Sequence, residues 1–267
     1  MGVIDREEML AAYDAELRAY LPPRLSPSEH VERDGPVLRF LRDAGQGWVL
    51  YRDLGGLDGA ALDALIERQI AIFRERGQRF EWKLHGHDLP VDLPDRLRAA
   101  GLMPSEQETV VIGAVASLLG PPVLPRGVTL RDVSSRADLE RIATMEGEVW
   151  GEQHMDLVEF LEGEIATDPD SIRIVVAEAG DVVVCAAWVR FPERTAIATL
   201  WGGATLAAWR GRGIYRATVT HRANLAAERG YRFLEVDASD ASRPILERLG
   251  FVAVTTTTPY VWTPPEA

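Results

Sequence analysis

The chain has 267 residues, enough for one large domain or two small ones with a sizeable core. A formal net charge of -12 argues against a nucleic acid backbone or an anionic membrane as main partner, because either needs clustered positive charge; cationic substrates such as amines stay compatible. Cys185 is the only cysteine, which excludes an internal disulfide and disfavours a thiolate metal site. Lys83 is the only lysine, a bias that reads as coding preference, so arginines count by position rather than by type. The acidic start of the chain lacks the apolar core of a signal peptide, and a reducing cytosol is the expected compartment.

A first helix is expected over residues 7–19, ended by Leu21-Pro-Pro-Arg-Leu-Ser-Pro27, where prolines fix φ and withdraw donors. Strand-like runs follow at 36–42 and 47–54. From about Asp58 a helix carries Leu62, Leu65, Ile66, Ile70 and Phe73 at helical spacing and stops near Gly77. A strand at 80–84, a helix at 94–100 and a strand at 108–113 complete this half. The stretch 119–127, with three prolines and two glycines, reads as a linker between units at 1–118 and 128–267. Beyond it come a strand at 128–133, a helix capped by Ser135 and running to about Trp150, and a helix at 156–166. Strands at 172–178, 182–190 and 195–205 follow, the first two joined by a tight turn at 179–181. A helix ending at Gly230, a strand at 233–238, a helix at 243–249 and strands from Phe251 onward close the chain. The apolar runs are too short to span a bilayer and too rich in β-branched residues for helix, so they read as buried strands.

The two halves share a fragment. Glu75-Arg76-Gly77-Gln78-Arg79-Phe80 closes a helix and opens a strand, as does Glu228-Arg229-Gly230-Tyr231-Arg232-Phe233. Each is followed by a short helix that ends in glycine and an apolar residue, Gly101-Leu102 and Gly250-Phe251, which points to duplication. Their chemistry differs at the turn between the preceding strand and helix. The second half has Arg210-Gly211-Arg212-Gly213-Ile214-Tyr215, where glycines let backbone N–H groups approach a ligand, a helix presents its positive end, and arginines add charge suited to phosphates. The first half has Leu54-Gly-Gly-Leu-Asp58-Gly59, acidic and without arginine, which would repel a phosphate.

The loop 210–215, the lead-in Thr205-Leu-Ala-Ala-Trp209, and Val236-Asp-Ala-Ser-Asp240 followed by Leu246-Glu-Arg-Leu-Gly250-Phe251 together resemble the GNAT N-acetyltransferase superfamily. The likeness covers about residues 127–262, with the first half as a degenerate copy. Tyr215 departs from the small residue usual at the last loop position. The resemblance implies a duplicated α/β (α+β) fold, with a mixed, mostly antiparallel central sheet, a splayed strand pair and flanking helices. It also implies that Gly203, Ala204 and Thr205 pair with the pantetheine arm of acetyl-CoA, the acyl donor, and that Arg210, Gly211, Arg212, Gly213, Ile214 and Tyr215 hold its pyrophosphate. An N–H near the splay would stabilise the oxyanion formed when an amine attacks the thioester.

The strand 195–205 contains no carboxylate, so Asp237 and Asp240 are the candidate bases by chain order. The tyrosine that serves many members as general acid is Leu246 here, leaving Tyr260 as a candidate acid or release of the thiolate unaided. The expected reaction is acetyl transfer to the amine of a small molecule or peptide by a monomer or homodimer, without metal, nucleic acid or membrane; a non-catalytic acyl-CoA-binding module is the alternative. His85-Gly-His87-Asp88 has metal-capable spacing but reads as a polar loop; His154 and His221 stand alone, and Trp150, Trp188, Trp201 and Trp209 read as core or pocket wall.

Overall fold

The computed structural model describes residues 5–43, 45–151 and 155–265, so His154 lies outside the described residues. In the first half, α1 (Arg6–Glu16) precedes β1 (Glu29–Asp34), β2 (Val37–Arg42), β3 (Gly47–Tyr51), α2 (Gly59–Glu75) and β4 (Phe80–His85). Then come α3 (Leu93–Ala99), β5 (Met103–Pro104), β6 (Glu108–Ala114) and α4 (Val115–Leu118). The second half holds β7 (Val128–Val133), α5 (Arg136–Trp150), α6 (Met155–Thr167), β8 (Ile172–Ala179), β9 (Val182–Arg190) and β10 (Ile197–Thr205). It ends with α7 (Ile214–Glu228), β11 (Phe233–Ala238), α8 (Arg243–Arg248) and β12 (Val252–Trp262).

Local chemistry accounts for many boundaries. The expected stripe on α2 is buried, α5 starts where Ser135 accepts from the Asp138 N–H, and Gly151 ends it in the left-handed region at φ +78°. Strands β8 and β9 turn through Gly180-Asp181, with Ala179 opposite Val182. The sequence pattern gives no hint of β1, because Glu29–Asp34 is polar or charged except at Val31; it is an edge strand, where such charge blocks pairing with other chains.

Among the described residues the strands join in one sheet, ordered β1-β2-β3-β4-β12-β6-β11-β10-β9-β8-β7, with β5 paired to β12. Each half contributes a short parallel pair, Gly47 to Val49 against Phe80 to Trp82 and Ile197 to Thr199 against Phe233 to Glu235. Next to each pair lies the last long strand of the other half: β12 beside β4, and β6 beside β11. The halves therefore exchange strands, and β6 and β12 pair with each other at the centre. The shared sequence frame stops at the helix ends, because Phe80 faces the core under α2 and α3 while Phe233 faces α1.

On one face of the sheet α2 and α3 cover the first half, and α4, α7 and α8 cover the second. On the other face α5 and α6 pack over β8 and β9, and α1 packs across the middle, with Met9 and Tyr13 against Val110, Ile112, Ile197, Phe233 and Val254. The first half has no such helices of its own among the described residues, and its β2–β4 surface on that side stays open. No helix among the described residues is long and apolar enough to cross a membrane.

Because β6 fills the sheet between β11 and β12, Ile112→Ala should lower the unfolding free energy by about 2–5 kcal/mol in denaturant titration. Residues 119–267 alone should show no cooperative thermal transition; a transition matching the full chain would contradict the dependence on β6.

Candidate active site

Strands β10 and β11 pair only as far as Thr199 and Glu235, then diverge. At the divergence β10 bulges: Gly202 pairs with Ala187 and Ala204 with Ala186, leaving Gly203 without a partner in the ladder. Gly202 and Gly203 sit at φ +66° and +93°, a region that favours glycine. A Cβ on Gly202 would lie 2.5 Å from the Trp188 ring, and one on Gly203 would lie 2.5 Å from the Tyr215 ring. The bulky Tyr215 is thus accommodated by the missing side chain of Gly203, and burial pushes its phenol pKa up.

Arg222 of α7 holds this bulge in place. Its guanidinium is 1% exposed and donates to the carbonyls of Trp188 (3.0 Å), Trp201 (3.1 Å) and Thr218 (3.1 Å). Beyond the bulge the chain makes a 3-10 turn at Ala207–Trp209, where Arg210 donates back to the Thr205 carbonyl at 2.9 Å. Gly211 and Gly213 follow at φ +71° and +82°, and α7 begins at Ile214, whose side chain is buried. The first-turn N–H groups of α7 have no intrahelical acceptor, and no acidic residue occupies that turn. This is a cradle for a phosphate, and a pyrophosphate carrier such as CoA fits it: backbone donors, small residues and cations converge where a Cβ has no room at Gly203.

A cleft of about 1500 Å³ runs from this loop across the sheet. Gly203, Ala204, Thr205, Arg210, Gly211, Gly213, Ile214 and Tyr215 line one end, with Ser239, Ser242 and Arg248 opposite; Arg212 lies over the Trp209 ring, 4.8 Å from its centre. The other end contains Glu81, Lys83, Glu108, Glu235 and Asp237, together with Tyr13 and His85. Strand exchange brings these together: Lys83 comes from β4, Glu108 from β6, Glu235 and Asp237 from β11. The Lys83 ammonium bonds the Asp237 carboxylate, and Thr257 donates to Asp237 from 3.5 Å. Burial disfavours the charge on Lys83, but Asp237, Tyr13 and Glu235 together outweigh it and raise the lysine pKa. Burial and then Asp237 push Glu108 up to about 7, and burial raises Glu81 and Glu235 as well. The Tyr13 hydroxyl is hydrogen-bonded to His85 Nε2 at 3.1 Å.

The cleft is electrically polarised. Arg210, Arg216 and Arg248 at the loop end form no ion pair among the described residues. The other lining arginines each have a carboxylate: Arg18 with Asp88, Arg24 with Asp168, Arg42 with Glu29, and Arg190 with Glu164.

Of the residues expected at the chemistry, Asp237 is in the cleft but engaged by Lys83. Asp240 is exposed in the turn after β11 and does not line the cleft. Tyr260 is not brought there either: it sits opposite Trp82 on β12, 2% exposed in the first half's core, beside a separate cavity of about 550 Å³. Leu246 is fully buried among Val111 and Phe251. His85 is built into the bonds with Tyr13 and Asp88, and His221 pairs with Asp132 at 2.8 Å. Reasoning from sequence missed Glu81, Lys83, Glu108 and Glu235. A signal existed, since Glu81 with Lys83 and Glu235 with Asp237 are charges two apart in apolar strands, hence on one face. The first half keeps no matching groove, because Trp82 at the end of its parallel pair and Tyr51 just past it are fully buried, with rings 5.5 Å apart.

Residues 136–251 match the profile of the Acetyltransferase (GNAT) family. A comparison with curated proteins finds no match. Among solved structures, a GCN5-related N-acetyltransferase from Kribbella flavida superposes with a TM-score of 0.67 at 18% identity, over 90% of this chain and 91% of that one. A tandem GNAT protein from the clavulanic acid biosynthesis pathway gives 0.64 at 15% identity, over 98% and 95%. A GCN5-related N-acetyltransferase from Sphaerobacter thermophilus gives 0.61 at 15% identity, over 90% and 77%. Residues 136–251 therefore form a GNAT domain, the fold of an acyltransferase. The chain as a whole has a duplicated GNAT-like arrangement, with one continuous sheet.

Arg222→Met should leave the Trp188 and Trp201 carbonyls without donors, at about 1–3 kcal/mol each. The melting temperature should fall by several degrees, and an unchanged value would show that the bulge holds itself.

Proposed function

We propose that the chain transfers an acetyl group from acetyl-CoA to a primary amine by direct attack on the thioester, with one working unit over 128–267 and a degenerate copy over 1–118. The observation that carries this reading is the two-ended cleft, unpaired arginines and a glycine cradle at one end and a carboxylate cluster at the other. Bound acetyl-CoA supplies an acyl carbon open to attack by a neutral amine. Arg210, Arg212 and the N–H groups of 211–215 hold its pyrophosphate, and the unpaired edge at Gly203, Ala204 and Thr205 takes its pantetheine arm.

An amine with a pKa of about 10 arrives protonated, and the cluster attracts that cation. Glu108, at about 7, is matched to take a proton near neutrality. Burial sets most of that value, and Asp237, with Glu81 and Glu106, adds to it against the opposing pull of Lys83. The absence of Tyr260 and of a tyrosine at 246 from the cleft fits a thiolate that leaves unaided, since a thiol with a pKa near about 8.5 is a fair leaving group.

Millimolar acetyl-CoA should raise the melting temperature, and Arg212→Glu should remove most of that shift. No shift in the wild-type protein would sink the reading. Thiol release with amines separates an enzyme from a CoA-binding module, which would release none. Glu108 must be ionised to act, so kcat should fall as pH drops through about 7. Glu108→Gln should lose that limb and about 100-fold in kcat.

A further inference from the structure

The acceptor end of the cleft has a floor as well as a charge. On β2 and β3, Val37, Leu41, Val49 and Tyr51 turn into the core under α2, and the alternate residues Phe40, Trp48 and Leu50 turn to the cleft, each only half-buried. In the second half α5 and α6 seal the corresponding face, but here α6 only flanks the cleft, through Glu159, Phe160, Gly163 and Glu164. The guanidinium of Arg42 lies 5.2 Å from the Phe160 ring and 5.8 Å from the Trp48 ring, and that of Arg190 lies 5.6 Å from Phe160, so Arg42 bridges floor and roof at this margin of the cleft. The apolar floor leads directly to the acids, because Trp48 on β3 is the register partner of Glu81 on β4.

The chemistry that suits this slot is narrow. Four carboxylates, Glu81, Glu108, Glu235 and Asp237, share the single ammonium of Lys83, so the cluster is short of positive charge. A carboxylate or phosphate on the acceptor would find no free cation at this end, since Arg18, Arg24, Arg42 and Arg190 are all paired. A polyhydroxylated body would exchange water for Phe40, Trp48 and Leu50 without gaining hydrogen bonds.

We infer that the acceptor is a primary amine on a flat apolar or aromatic body without an acidic group, its ammonium at Glu81 and Glu108 and its body on the floor of Phe40, Trp48 and Leu50. This rests on the transferase reading. Burial of a ring on this floor corresponds to at least about tenfold in kcat/KM, from the usual gain on burying a large apolar side chain.

The test measures thiol release from acetyl-CoA with 2-phenylethylamine, phenylalanine, ethanolamine, glucosamine and spermidine. The expected result is a kcat/KM for 2-phenylethylamine at least tenfold above each of the others. Trp48→Ala should cut its advantage over ethanolamine about tenfold, and Trp48→Phe, which keeps a ring, should restore most of it. Preference for glucosamine, spermidine or phenylalanine would overturn the substrate class and leave the transferase standing. So would an advantage that a folded Trp48→Ala protein keeps in full. Binding of acetyl-CoA without release to any amine would overturn the transferase reading and this inference with it. The wild-type ranking decides the matter even where the alanine variant fails to fold.

Discussion

The insertion of β6 between β11 and β12 is the constraint on which the site depends. A strand that pairs on both sides cannot be removed without exposing two rows of backbone donors and acceptors, so the two halves are bound to one sheet. That sheet fixes which side chains share a face. Lys83 stands opposite Pro259, Glu108 opposite Thr257, and Asp237 opposite Val110, and these pairings bring charges 154 residues apart into one bond. The glycine loop belongs to the second half alone, whereas the carboxylate end of the cleft is built by both. A degenerate first half is therefore not idle: it has lost its own groove to Tyr51 and Trp82 and lends its open face to its neighbour's.

Electrostatics then divide the cleft. Taking Lys83 and Asp237 out of water is costly, and the pair is a poor source of stability. Its consequence is chemical, because Asp237 adds to burial in lifting the Glu108 carboxyl toward neutrality. At the far end the arginines have no carboxylates to satisfy them, and the helix start of α7 adds its positive pole. The proposed donor and acceptor, with phosphates at one end and an amine at the other, would relieve both imbalances.

Much of this was written locally. The glycine loop, the strand before it and the stripe on α7 are legible because glycine conformation and helical periodicity are properties of neighbouring residues. So are Ser135 as a cap and the turn at 179–181. Strand β1 is not legible, since an edge strand needs no apolar alternation. The carboxylate cluster is not legible as a cluster either: Glu108 lies before the linker and Asp237 far beyond it, and only the exchanged strands make them neighbours. Tyr260 shows the same effect in reverse, near in chain order to the second half's site but carried by β12 into the first half's core.

A crystal structure with CoA and an amine bound is the most direct test of a site made by both halves. The thiol sulfur should lie at the divergence of β10 and β11 on the α1 side of the sheet, with the amine nitrogen reaching Glu108 directly or through one water. CoA seated against Tyr51 and Trp82 of the first half, or an amine with no carboxylate from β4 or β6 in reach, would contradict it.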